Sequence, residues 1–120
     1  MNNSKPILHI DDDEIDAMTV KRVFMALGIP NKLVQKNNGQ EGLKYLRDSA
    51  NEKPCLILLD LNMPLMNGRE FLGIVQKDPS LCEIPVIILT TSEIDRDLVG
   101  ANVVGYIVKS MVFSDFAAGI

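Results

Sequence analysis

Five short apolar runs, PILHI, KLVQ, CLILLD, PVIILT and GYIVK, punctuate the chain, and helical patterns separate them. Each run is too short for a buried helix, and three are nearly continuous in apolar residues, as parallel strands covered on both faces are. Between the first two runs, Ala17, Val20, Phe24 and Leu27 recur at spacings of three and four, and Gly28 with Pro30 supplies a stop. Leu43 and Leu46 predict a second helix, Phe71, Leu72 and Val75 a third, and Ile94, Leu98 and Ala101 a fourth. Phe113, Phe116, Ala117 and Ile120 predict a very short last one. Strands alternating with helices through short polar turns, such as Asn67-Gly68, make an open α/β sheet with right-handed crossovers and helices on both faces.

In such sheets ligands bind beyond the carboxyl ends of the strands, where the strand order reverses. The strand ends therefore carry the chemistry. They hold Asp11, Asp12 and Asp13 after the first run, Asp60 after the third, Thr90 and Thr91 after the fourth and Lys109 after the fifth. The segment LILLDLNMP is the sharpest of these, because a run apolar enough to be buried ends on a carboxylate that is costly to remove from water without a partner. If the strand order is 2-1-3-4-5, the first and third strands lie about 4.8 Å apart and their terminal carboxylates converge. Asp11, Asp12 and Asp60 with Lys109 then leave a local surplus of two formal negative charges, which favours one hard divalent cation held by oxygens. Mg²⁺ is the natural candidate, since it needs few protein ligands and keeps several waters.

Composition narrows the alternatives. A chain of 120 residues, 47% apolar and 23% charged, is expected to fold as a single domain over 1–120. Its formal charge of -4, with Lys and Arg scattered singly, provides no basic stripe for direct nucleic-acid binding. The opening MNNSKP has no apolar signal-peptide core, and no apolar run approaches the roughly 18 residues that span a bilayer, so a cytoplasmic location without membrane contact is expected. Cys55 and Cys82 fit neither a metal motif nor a disulfide framework and are expected to be packing residues. His9, inside the first run, reads as a hydrogen-bonded core histidine, and Asp13 as a residue that caps the first helix or lies in solvent.

HIDDDE, LILLDLNMPLMNG, VIILTTS and GYIVKS, arriving in this order over nearly the whole chain, resemble the receiver domain of bacterial two-component response regulators, of the stand-alone, chemotaxis-receiver-like type. That resemblance implies a flavodoxin-like five-stranded parallel sheet of order 2-1-3-4-5. It implies that Asp60 accepts a phosphoryl group from a sensor histidine kinase or phosphotransfer protein, forming an acyl phosphate. Asp11 and Asp12 match the acidic pair that holds Mg²⁺, Asp12 more directly, and Asn62 matches the position whose backbone carbonyl completes the metal site. Thr90 and Lys109 match the hydroxyl and the cation that bind phosphoryl oxygens, and Tyr106 the aromatic that swings inward on phosphorylation, making Thr90 and Tyr106 the switch toward a downstream protein target. A phosphorelay signalling domain that catalyses only its own phosphorylation and dephosphorylation follows.

Three features depart from the family pattern or refine it. Ser110 follows Lys109 where the family usually has proline, whose peptide bond there is often cis. The interval from Thr90 to Lys109 is about one helical turn shorter than usual, so the fourth helix is expected to be stunted, and the last helix short or truncated. TTS and KS are similar to those of stand-alone receivers, including ones paired with phytochrome-type kinases. Two other functions fit parts of the pattern. One is a pseudo-receiver that binds protein without taking phosphate, which would lack an acid or the lysine. The other is an aspartate-nucleophile phosphatase of the haloacid-dehalogenase type, which would carry a second acid at the position of Asn62.

Overall fold

The computed structural model describes residues 5–60, 68–90 and 103–108, with the side chains of Thr90 and of 106–108 left aside. Five parallel strands form one sheet: β1 (Ile7–Ile10), β2 (Leu33–Lys36), β3 (Leu56–Asp60), β4 (Val86–Thr90) and β5 (Val103–Val108). Their order is β2-β1-β3-β4-β5, the one that the family resemblance implied. Three helices are described: α1 (Glu14–Ala26), α2 (Gly39–Arg47) and α3 (Gly68–Lys77). The fourth and last predicted helices fall at 91–102 and 109–120, outside the described residues.

Side chains alternate across a strand, so each buried run feeds two cores. Leu8, Ile10, Ile57, Leu59, Val86 and Ile88 join Leu43 and Leu46 of α2 and Phe71, Leu72 and Val75 of α3 on one face. Ile7, Leu58 and Leu89 join Val20 of α1 on the other, with Phe24 packed against them. Helices therefore cover both faces of the sheet. Leu27, expected on the apolar stripe of α1, is 68% exposed instead, because the helix ends at Ala26 and the chain turns away through Gly28 at φ 71°.

Two boundaries differ from the apolar pattern. The fifth strand begins at Val103, two residues before GYIVK, and its pairing with β4 slips there: Val86 faces Val103 while Ile87 faces Gly105. Val104 is the extra residue and points largely to solvent, so the strand start does not read as a buried run. Gly68, expected in a turn, is buried and already the first residue of α3. Cys55 and Cys82 are free and half-buried, in keeping with packing roles.

Candidate functional site

Parallel pairing puts all the carboxyl ends on one edge of the sheet, and the register aligns them. Ile10 lies opposite Leu59, and Asp60 opposite Leu89, so the residue after β1 is level with the last residue of β3. The ladder continues one step past β1, where the Asp11 N–H donates to the carbonyl of Lys36 at 3.0 Å. Asp60 falls on the same sheet face as Leu58 by alternation, and Asp11 on that of Ile7 and His9. Both point toward the side covered by α1.

The result is a carboxylate cluster at the β1–β3 edge. Asp11, Asp12 and Asp60 each present an oxygen within 4.8 Å of those of the other two. Asp11 is fully buried and Asp60 4% exposed, whereas Asp12 is open to solvent. Asp11 is held from two sides. Its Oδ1 accepts from the Asp13 N–H at 2.9 Å, and its carbonyl accepts from Gln35 Nε2 at 2.8 Å. Asp13 stands apart from the cluster's role: it is the N-cap of α1, its Oδ1 accepting from the N–H groups of Ile15 at 2.8 Å and Asp16 at 3.3 Å.

Thr90 closes β4 and pairs with Val108, and Tyr106 pairs with Ile88, which places both backbones where the sequence positioned them. Asn62 and Lys109, with the Lys109-Ser110 peptide, lie outside the described residues. No cis peptide bond occurs among the described residues. A cleft of about 360 Å³ opens between Pro6, Lys32, Val34, Tyr45 and Glu52, at the opposite end of the sheet from the carboxylates, and takes no part in their chemistry.

One neighbour of the cluster corrects a sequence expectation. His9 is a fully buried residue, but neither ring nitrogen makes a hydrogen bond among the described residues. Its Nε2 lies 3.4 Å from Oδ2 of Asp11, close enough to interact and short of hydrogen-bond geometry. The signal was present in the alternation, which puts residue 9 on the same face as the carboxylate two positions later.

Three carboxylates converging from two neighbouring strand ends provide a hard oxygen donor set able to bind a divalent metal. The family model of the response regulator receiver domain matches residues 7–120. The chain belongs to that family. As a receiver, it is a signalling module of two-component systems. It is 33% identical over 121 residues to the response regulator Rcp1 of Synechocystis sp., an alignment that covers 95% of this chain and 82% of that protein. Among solved structures, the receiver is similar to the phosphorylated cyanobacterial phytochrome response regulator RcpA, with a TM-score of 0.80, 35% identity and coverage of 93% of this chain and 85% of that one. It is also similar to the Mn²⁺-bound form of Rcp1, with a TM-score of 0.78, 30% identity and coverage of 94% and 92%. Among the described residues, no helix is long and apolar enough to cross a membrane.

Proposed function

We propose that this receiver takes a phosphoryl group on Asp60 from a phosphohistidine donor, a sensor histidine kinase or phosphotransfer protein, in a Mg²⁺-dependent reaction in the cytoplasm. The observation that carries the reading is the convergence of the Asp11, Asp12 and Asp60 oxygens within 4.8 Å at the end of an apolar strand. An oxygen of Asp60 attacks phosphorus while the phosphorus–nitrogen bond to the leaving imidazole breaks, and the acyl phosphate forms on the carboxylate. The domain contributes mainly position and charge compensation, since the transfer asks for little other covalent work.

Asp11, Asp12 and Asp60, with the backbone carbonyl of Asn62, would hold the cation. Its donor set is all oxygen, and exposed Asp12 leaves the site open to the waters that Mg²⁺ retains. When bound, the dication offsets the charge of the carboxylates and of the phosphoryl oxygens. The Mn²⁺-bound relative supports a divalent site of this kind. Thr90 and Lys109 bind the remaining phosphoryl oxygens, and Thr90, drawn inward, leaves room for Tyr106 to turn, passing the signal to a downstream protein. Turnover is confined to the domain's own acyl phosphate.

Incubation with acetyl phosphate and Mg²⁺, followed by intact-mass measurement, tests the proposal. One added phosphoryl group, lost in Asp60→Asn and on chelation of Mg²⁺, is the expected result. No adduct under any donor would favour a protein-binding pseudo-receiver, and sustained hydrolysis of phosphate esters would favour a phosphatase.

A further inference from the structure

The chain contains a single histidine, and it is buried at 0% exposure directly beneath the carboxylate cluster. An imidazole held away from water without a hydrogen bond is unfavourable, and an apolar side chain would fill the same place without that cost. The ring is nevertheless aimed at one atom: Nε2 stands 3.4 Å from Oδ2 of Asp11, which is itself fully buried. The other oxygen of that carboxylate is already engaged by the Asp13 N–H at 2.9 Å. His9 and the α1 cap therefore grip Asp11 from opposite oxygens, one from within the sheet and one from the loop.

We infer that His9 is a positioning residue for the metal site: when a cation is bound, its Nε2–H closes from 3.4 Å onto Oδ2 of Asp11 and sets the plane of that carboxylate. The inference rests on the proposed role of Asp11 in holding the metal. Contacts of this kind are often long in the unliganded state and tighten when the ligand arrives. Partners in the layer behind the ligands orient them and commonly change metal affinity by about 10–100-fold when removed. His9 acts on Asp11 alone and touches neither the phosphoryl donor nor Asp60 in this assignment.

Calorimetric titration of Mg²⁺ into the unphosphorylated, tag-free protein tests it, with His9→Leu, His9→Gln and His9→Asn beside the native chain. The amide nitrogen of glutamine reaches about as far from the backbone as imidazole Nε2, and that of asparagine only as far as Nδ1. We expect His9→Gln to bind within about threefold of native, and His9→Leu and His9→Asn to bind roughly tenfold more weakly. Native affinity in His9→Leu, or equal weakening in all three variants, overturns the positioning role while leaving the metal site intact. Absence of Mg²⁺ binding by the native protein overturns the metal reading and this inference with it. Should the leucine variant not fold, ¹⁵N-imidazole spectra of the native protein decide, because only one histidine contributes. An Nε2 that carries hydrogen and whose resonance moves on adding Mg²⁺, and does not move in Asp11→Asn, is expected. An Nδ1–H tautomer, or a resonance indifferent to Mg²⁺, overturns the inference.

Discussion

Gly42 of α2 lies so close to Ile10 of β1 that a Cβ on the glycine would stand 2.5 Å from Ile10 Cδ1. It would also meet Cγ1 of Ile10 at 3.2 Å and Cε2 of Phe71 at 3.3 Å, and both of these side chains are fully buried. Helix and strand meet here without an intervening side chain, immediately before the loop that carries Asp11 and Asp12. Overpacking costs about 1–3 kcal/mol, against roughly 1 kcal/mol gained from the better helix propensity of alanine. Gly42→Ala should therefore lose about 1 kcal/mol of stability, seen as a lower urea midpoint with an unchanged m-value.

The N-cap of α1 is set by Asp13, whose carboxylate accepts from two of the helix's first free N–H groups. Asp13→Ala should cost about 1 kcal/mol and Asp13→Asn much less, since asparagine caps as well. Chemical denaturation of both variants checks the order. An alanine variant as stable as the native protein would rule out the cap as a source of stability.

Asp11, Asp12 and Asp60 repel one another in the metal-free protein, and two unit charges nearly 5 Å apart interact by roughly 3 kcal/mol at an effective dielectric constant of about 20. Solvent around exposed Asp12 and other partners of the buried pair reduce the net effect. Asp60→Asn should raise metal-free stability by about 1 kcal/mol. In the native protein, Mg²⁺ at ten times its dissociation constant should add about 1.4 kcal/mol by mass action, and Asp60→Asn should forfeit most of that gain. Thermal unfolding with and without Mg²⁺ measures both effects.

Far from the site, the loop after α3 contains a carboxylate that titrates low. Ser80 lowers the Asp78 pKa below the ordinary carboxylate range, through its hydroxyl at 2.8 Å and its N–H at 2.9 Å, with Arg47 adding a smaller part from 3.7 Å. A depressed folded-state pKa means stability that is present above the unfolded value and is lost as pH falls through the folded one. Ser80→Ala should return the Asp78 midpoint toward the ordinary range in carboxyl-detected NMR titration. It should also flatten the acid-side loss of stability. An unmoved midpoint would refute the assignment to Ser80.

The apolar runs predicted all five strands, since a segment flanked by polar turns and too short for a helix has few other ways to satisfy its backbone and bury its side chains. The same reasoning placed Asp60 and Asp11 at strand ends, because the burial pattern changes there along the chain itself. The start of β5 escaped it: the bulge leaves Val104 in solvent, and a local pattern records no irregularity in pairing. Leu27 was misplaced because spacing marks which residues could share a stripe, and the exit through Gly28 ends that stripe early.

Contacts between distant segments belong to the folded molecule. Residues 10 and 42 meet at one space through the packing of α2 on β1, and the carboxylates of Asp11 and Asp60 converge through the pairing of β1 with β3. Periodicity along one chain states which side of an element is buried. Distances between side chains depend on how several elements pack at once, and neither residue type nor spacing encodes that sum.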